Sequence, residues 1–202
     1  MDLSTGIAAH LYVLVKSIGA GDDTLTGSLA ALAVDLRTAV SSYLGLRLTL
    51  VLDGWPVTLT AFGDIDGVRP ATSLRLTLSS IGPGFDPESR VVFYAASPGA
   101  FVDLAADLSY LHRVRGPAGT AYADGEVERD GRRPAVALDV ELPPESVASG
   151  FSGLTEYATI NRAVGVLIDR GHQPERAQAT LRRGAAAHGL ALPAYAAKFL
   201  LE

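Results

Sequence analysis

Five cations and three small residues near the end of the chain form the constellation best suited to chemistry: Arg162, Arg170, Arg182, Arg183 and Lys198, with Ala163, Gly165 and Ala186 among them. Arginine pairs with phosphate oxygens through two parallel N–H bonds. Alanine and glycine let a backbone or an unpaired base come close. A structured polyanion with accessible bases is the partner this mixture would suit. Catalysis has less to work with. Asp64 and Asp66 stand two apart and would share a face on a strand, where they could bind a hard cation, but in a loop such a pair is a turn signal. His10, His112, His172 and His188 have no metal-ligand spacing, and His10 reads as a packed or partly exposed histidine beside an apolar helix face. No serine sits in a nucleophile elbow, and no glycine loop is built to cradle a phosphate. No catalytic residue, metal site or cofactor is expected.

Three short helices must position the cations. Ile160, Ala163, Val164, Leu167 and Ile168 recur at helical spacing as one apolar stripe, which Arg170 and Gly171 bring to a stop. Pro174 and Glu175 open a second helix that packs through Ala177, Leu181 and Ala185 and ends at Gly189. Pro193 opens a third, with Leu192, Tyr195, Ala196, Phe199 and Leu200 inward.

These residues resemble the ANTAR domain, an RNA-binding module of bacterial transcription antiterminators. The family pattern falls here on Ile160, Ala163, Gly165, Val166, Leu167, Arg170, Ala177, Leu181, Arg182, Ala186 and Ala196, with Tyr195 where a small aliphatic residue is usual. The resemblance covers about a fifth of the chain. It implies a three-helix bundle whose Arg162, Ala163, Gly165, Arg170, Arg182, Arg183, Ala186 and Lys198 meet RNA. It implies too a homodimer that presents two such bundles to paired stem-loops.

Charge distribution suits a modestly basic recognition block on an acidic carrier. The chain has 202 residues, 48% hydrophobic, no cysteine and a net charge of −5, which argues against a general polyanion binder and excludes disulfide and thiolate chemistry. From Phe151 onward six cations face four acids, about +2, which leaves about −7 for the remainder. No run approaches the roughly 18 apolar residues of a membrane span, and the N-terminal run lacks the marks of a signal peptide. A cytoplasmic protein is expected.

The N-terminal part reads as helix, helix, four antiparallel strands, helix. Leu3 to Ile18 is amphipathic, with Ile7, Leu11, Leu14, Val15 and Ile18 apolar. A second helix runs from Thr24 or Thr26 to about Tyr43 with the stripe Leu29, Leu32, Ala33, Leu36 and Val40. Asp53-Gly54 between two alternating runs marks a hairpin. Strands follow at 73–79 and 90–97, and then a helix capped by Ser97 with Pro98 first, carrying Phe101, Leu104, Ala105, Leu108 and Leu111 inward. That order resembles a degenerate GAF-type sensor fold without the family's ligand-loop signature. Gly82-Pro83-Gly84 is a faint echo of it, so a scaffold and dimerisation role is favoured over a small-molecule pocket. Ala135 to Leu142 alternates and reads either as a last strand, with Val136, Leu138, Val140 and Leu142 on one face, or as a connector that Pro143-Pro144 ends. The expected architecture is α+β: a small antiparallel sheet flanked by helices over 1–145, then a three-helix bundle over 146–202. A protein-interaction module with no strong RNA binding of its own is the alternative. A DNA reader is a weaker third, since the second C-terminal helix carries Arg176, Arg182 and Arg183.

Overall fold

A computed structural model describes residues 24–63, 68–81, 84–115, 135–141 and 149–201, preceded by Gly6, Ala9, His10 and Val13, which are helical. The remainder of the amphipathic stretch from Leu3 to Ile18 lies outside the described residues, as do Asp64, Asp66, Gly82, Pro83, residues 116–134 and residues 142–148. In chain order come α1 (Thr24–Ala39), β1 (Tyr43–Leu52), β2 (Trp55–Phe62), β3 (Thr72–Thr77), a 3₁₀ turn (Leu78–Ser80), β4 (Arg90–Ala95) and α2 (Val102–Arg115). There follow β5 (Val136–Leu138), β6 (Gly150–Ser152), α3 (Leu154–Asp169), α4 (Pro174–Ala187) and α5 (Leu192–Phe199). The fold is α+β, with one six-stranded sheet in the order β5-β3-β4-β1-β2-β6. The β1–β4, β3–β4 and β3–β5 pairs are antiparallel. The chain divides into two compact units: Met1–Gly54 with Thr58–Gly150, and Trp55–Val57 with Phe151–Glu202.

In the first unit, period-two alternation sets the core. Pairing places Leu46, Phe93 and Leu74 in one row and Leu48, Val91 and Leu76 in the next, on one side of β4. All six are buried, together with Leu32, Leu36 and Val40, and with Phe101, Leu104, Ala105 and Leu108 from α2 and the turn before it. Each of the larger side chains withdrawn from water contributes about 1.5–3 kcal/mol before the entropy of ordering is set against it. The Asp53-Gly54 turn has positive φ at both positions, 51° and 75°, as the tight twist-matched hairpin requires.

Several boundaries differ from the sequence expectation, each for a local reason. α1 stops at Ala39 instead of running to Tyr43, because the Tyr43 amide bonds the Val40 carbonyl in a turn that feeds β1. Ser97 and Pro98 do not open α2. Gly99, at φ 72°, interrupts the segment, the Val102 amide bonds its carbonyl, and the helix begins at Val102. β3 ends at Thr77 and gives way to the 3₁₀ turn. Of the alternating run from Ala135, only Val136–Leu138 is strand. Asp139 then adopts φ 54° and turns its carboxylate back onto β3, accepting bonds from Thr72 Oγ1 at 2.6 Å and the Ser73 amide at 2.9 Å. Val140 is exposed, so it does not share a covered face with Val136. β6 had no counterpart in the sequence reading. Just before it, Ser149 Oγ accepts from the Phe62 amide and donates to the Phe62 carbonyl.

The second unit is a three-helix cluster. Ile160, Ala163 and Leu167 of α3, Ala177 and Leu181 of α4 and Ala196 of α5 are buried together, with Leu192, Tyr195, Phe199 and Trp55 packed against them. α3 starts at Leu154, earlier than the Ile160 stripe indicates, directly after Gly153 at φ 85°. A methyl on Gly153 would overlap the Pro56 carbonyl, and Trp55 Nε1 donates to the Gly153 carbonyl at 3.3 Å. Gly171 and Gly189, both with positive φ, follow α3 and α4 as anticipated. Pro174 is the first residue of α4.

Candidate nucleic-acid interface

On α3 the apolar stripe decides which residues can meet a partner. Ile160, Ala163 and Leu167 point into the bundle, so Arg162, Gly165 and Asp169, at i, i+3 and i+7, lie on the opposite side. Arg162 is exposed and Gly165 partly so. Ala163 is fully buried, and its methyl packs the core instead of meeting a ligand. Gly165 is different: a methyl built there would meet nothing within 4 Å. A glycine inside a helix costs about 0.5–1 kcal/mol relative to alanine, and neither packing nor backbone conformation within the unit calls for one here.

Arg170 closes α3. Its guanidinium carbon stands 5.1 Å from the centroid of the Phe199 ring, a cation–π contact that ties the end of α3 to α5. It is exposed on its other side.

On α4, Ala177, Leu181 and Ala185 face inward. Arg183 and Ala186, one turn apart, lie on the outer side with Arg176, and Arg182 stands on the flank. All four are exposed. Arg183 Nη2 donates to Thr180 Oγ1 at 3.2 Å, which steadies the base of its side chain while other guanidinium donors remain. Lys198 is exposed in the last turn of α5, where a cation complements the helix dipole.

The anticipated residues therefore sort into groups. Arg162 and Gly165 share one helix face, and Arg183, Ala186 and Arg176 share another. Arg182 and Lys198 present charge from separate positions, Arg170 is committed to Phe199, and Ala163 belongs to the core. Three helices that turn their apolar stripes inward must turn their polar faces in different directions, so these residues make a charged exterior and not one pocket.

Sequence reasoning passed over Gly184. A methyl there would overlap the Tyr195 phenol, so the glycine is the seat of that ring. His188 lies over the same ring with centroids 5.1 Å apart, and its Nδ1 is 2.8 Å from the Gly184 carbonyl. The visible signal was Tyr195 itself, a large side chain in a bundle of small ones. Among the described residues no group of three or more His, Asp or Glu is arranged to hold a metal ion, and no helix is long and apolar enough to cross a membrane. No protein-family model, no curated protein and no solved structure matches this chain.

Proposed function

We propose that the C-terminal unit binds structured RNA, in the manner of the ANTAR antitermination regulators its helices resemble, and that a GAF-like N-terminal unit serves as its dimerisation or sensing carrier in the cytoplasm. The observation that carries the reading is Gly165, which the fold does not need, one turn from the exposed Arg162 on the outer side of α3. A helix that gives up stability to keep its surface bare is suited to a close-approaching partner backbone. Exposed Arg182 and Arg183 on α4 add the charge that phosphates require. The residues of this unit carry about +2 while the rest of the chain is acidic, so attraction is local.

Arg182→Glu with Arg183→Glu in the full chain tests it, by titration with a two-stem-loop RNA and with duplex DNA of equal charge across a salt series. The wild-type chain should prefer the RNA at physiological salt. The double variant should lose about 1–3 kcal/mol of binding per reversed contact and keep its melting temperature, since exposed substitutions stay within about 0.5 kcal/mol. Unchanged RNA affinity in the variant would end the reading. Equal, weak and steeply salt-dependent binding to RNA and DNA would reduce it to polyanion attraction.

A second reading, a protein-interaction module, draws on Val34 of α1 and Val102 and Tyr110 of α2, which are exposed in the first unit. Sedimentation distinguishes its cases: a concentration-dependent dimer supports self-association through this unit, and a monomer at every concentration removes that form of it.

A further inference from the structure

The first unit's sheet has a second side, and it is polar. On β4 the residues alternate with the core-facing Val91, Phe93 and Ala95, so Arg90, Val92 and Tyr94 share the other side. Strand register then places Arg47 of β1 and Arg75 of β3 on either side of Val92, and Ser73 beside Tyr94. Val92, 1% exposed, is thus ringed by three arginines and a tyrosine. Sheets normally solvate such a face or cover it with apolar residues; here Arg75, Tyr94 and Ser73 are all more than nine-tenths buried.

Their hydrogen bonding is incomplete. Tyr94 Oη, Ser73 Oγ and Arg75 Nε are buried without a partner among the described residues. Glu141 is the carboxylate that the described residues bring to the arginines. Its Oε1 stands 2.8 Å from Arg90 Nε, close but out of hydrogen-bonding alignment, and 3.8 Å from Arg75 Nη1. Burial pushes the Tyr94 phenol above its ordinary range; the Arg47 guanidinium nearby pulls the other way, Glu141 raises it and Arg90 lowers it. Among the described residues, three guanidiniums with one carboxylate leave two positive charges unbalanced. Buried charge without a counter-charge is costly, and buried donors without acceptors cost about 1–3 kcal/mol each. Arg90 and Glu141 keep 25% and 23% of their side-chain surface, so the cluster is reached from their side.

We propose that this side of the sheet binds a phosphoryl dianion, either free phosphate or the phosphate of a small monoester. The anion takes its place beside Glu141 among Arg47, Arg75 and Arg90 and accepts hydrogen bonds from Tyr94 Oη and Ser73 Oγ. A double negative charge balances the arginine excess, and four tetrahedral oxygens supply more acceptors than a single carboxylate has. Arginine forks match such oxygens in pairs.

Calorimetric titration of the full chain at fixed ionic strength tests the assignment, with inorganic phosphate, glycerol 3-phosphate and succinate as probes. A phosphoryl probe should bind at least tenfold more tightly than succinate. Tyr94→Phe should keep the melting temperature, because its hydroxyl has no partner to lose among the described residues, and should weaken binding about tenfold, the equivalent of one lost hydrogen bond. Arg47→Gln should weaken it at least as much, and Glu141→Gln should tighten it. Stronger binding of the monoester assigns the site to phosphorylated small molecules, and stronger binding of inorganic phosphate assigns it to the free ion. The proposal is overturned by any of three results: absence of phosphoryl binding, succinate binding equally well, or affinity unchanged in both Tyr94→Phe and Arg47→Gln. The cluster lies in the first unit, so none of these outcomes bears on RNA binding by the second.

Discussion

At the scale of single residues, the pair Gly184 and Tyr195 offers the sharpest test of packing. Adding a methyl at Gly184 forces the phenol to move, and overpacking of this kind costs about 1–3 kcal/mol. Tyr195→Val should remove the obstacle, so Gly184→Ala is expected to be much less destabilising in that background. A double-mutant cycle by chemical denaturation measures the coupling. Gly165→Ala should do the opposite of Gly184→Ala: with open space around it, it should raise stability by about 0.5–1 kcal/mol and weaken RNA binding, a separation visible by melting and titration of one variant. Asp139 supplies a pH test. Its bond from Thr72, then that from the Ser73 amide, hold its carboxyl below the ordinary 3.8. A depressed folded value contributes stability that is present above the unfolded value and lost as pH falls through the folded one, so the loss falls below about pH 4. Asp139→Asn keeps an acceptor oxygen and tolerates positive φ. It should lower the neutral-pH melting temperature slightly, by what the ionised carboxylate contributes there, and flatten the acid limb of the stability profile.

At the scale of elements, what the sequence reveals is what local chemistry decides. Alternation around Asp53-Gly54 specifies β1 and β2 because register and turn are encoded within a few residues. The stripes of α1, α3 and α4 follow from side-chain period alone, and so does the exposure of Arg162, Arg182 and Arg183. Ala163 and Ala186 show the limit. Both are small residues in apolar surroundings, and only the phase of each helix against its neighbours buries one and exposes the other. The extent of β5 and the existence of β6 were obscure because bonds across 66 and 87 residues hold their surroundings, Asp139 to Ser73 and Ser149 to Phe62. The arginine cluster was invisible for a similar reason: Arg47, Arg75 and Arg90 come from three strands that are distant in sequence until register aligns them. The entry to α3 belongs to this scale as well. Gly153→Ala must place a side chain in the left-handed region and against Pro56, and it should destabilise the three-helix unit by about 1–3 kcal/mol, read by far-UV melting.

At the scale of the whole molecule, the acidic majority of the chain and its mildly basic end differ in what salt should do to them. The proposed RNA binding should weaken with rising salt, with a slope set by the number of phosphates contacted, while the proposed phosphate binding at a partly buried cluster should be screened less. Trp55 is the sole tryptophan, and with Pro56 and Val57 it belongs to the C-terminal unit, although Gly54 before them and Thr58 after them belong to the first. Its fluorescence should therefore report the three-helix unit. A fragment of residues 146–202 should melt below the same unit in the intact chain, because the indole that bonds Gly153 comes from 98 positions earlier. The three helices are thus not a portable cassette. Gene fusion, duplication or recombination that carried them away by a single cut would leave part of their core behind, and inheritance of this end of the protein is tied to inheritance of a hairpin near its beginning.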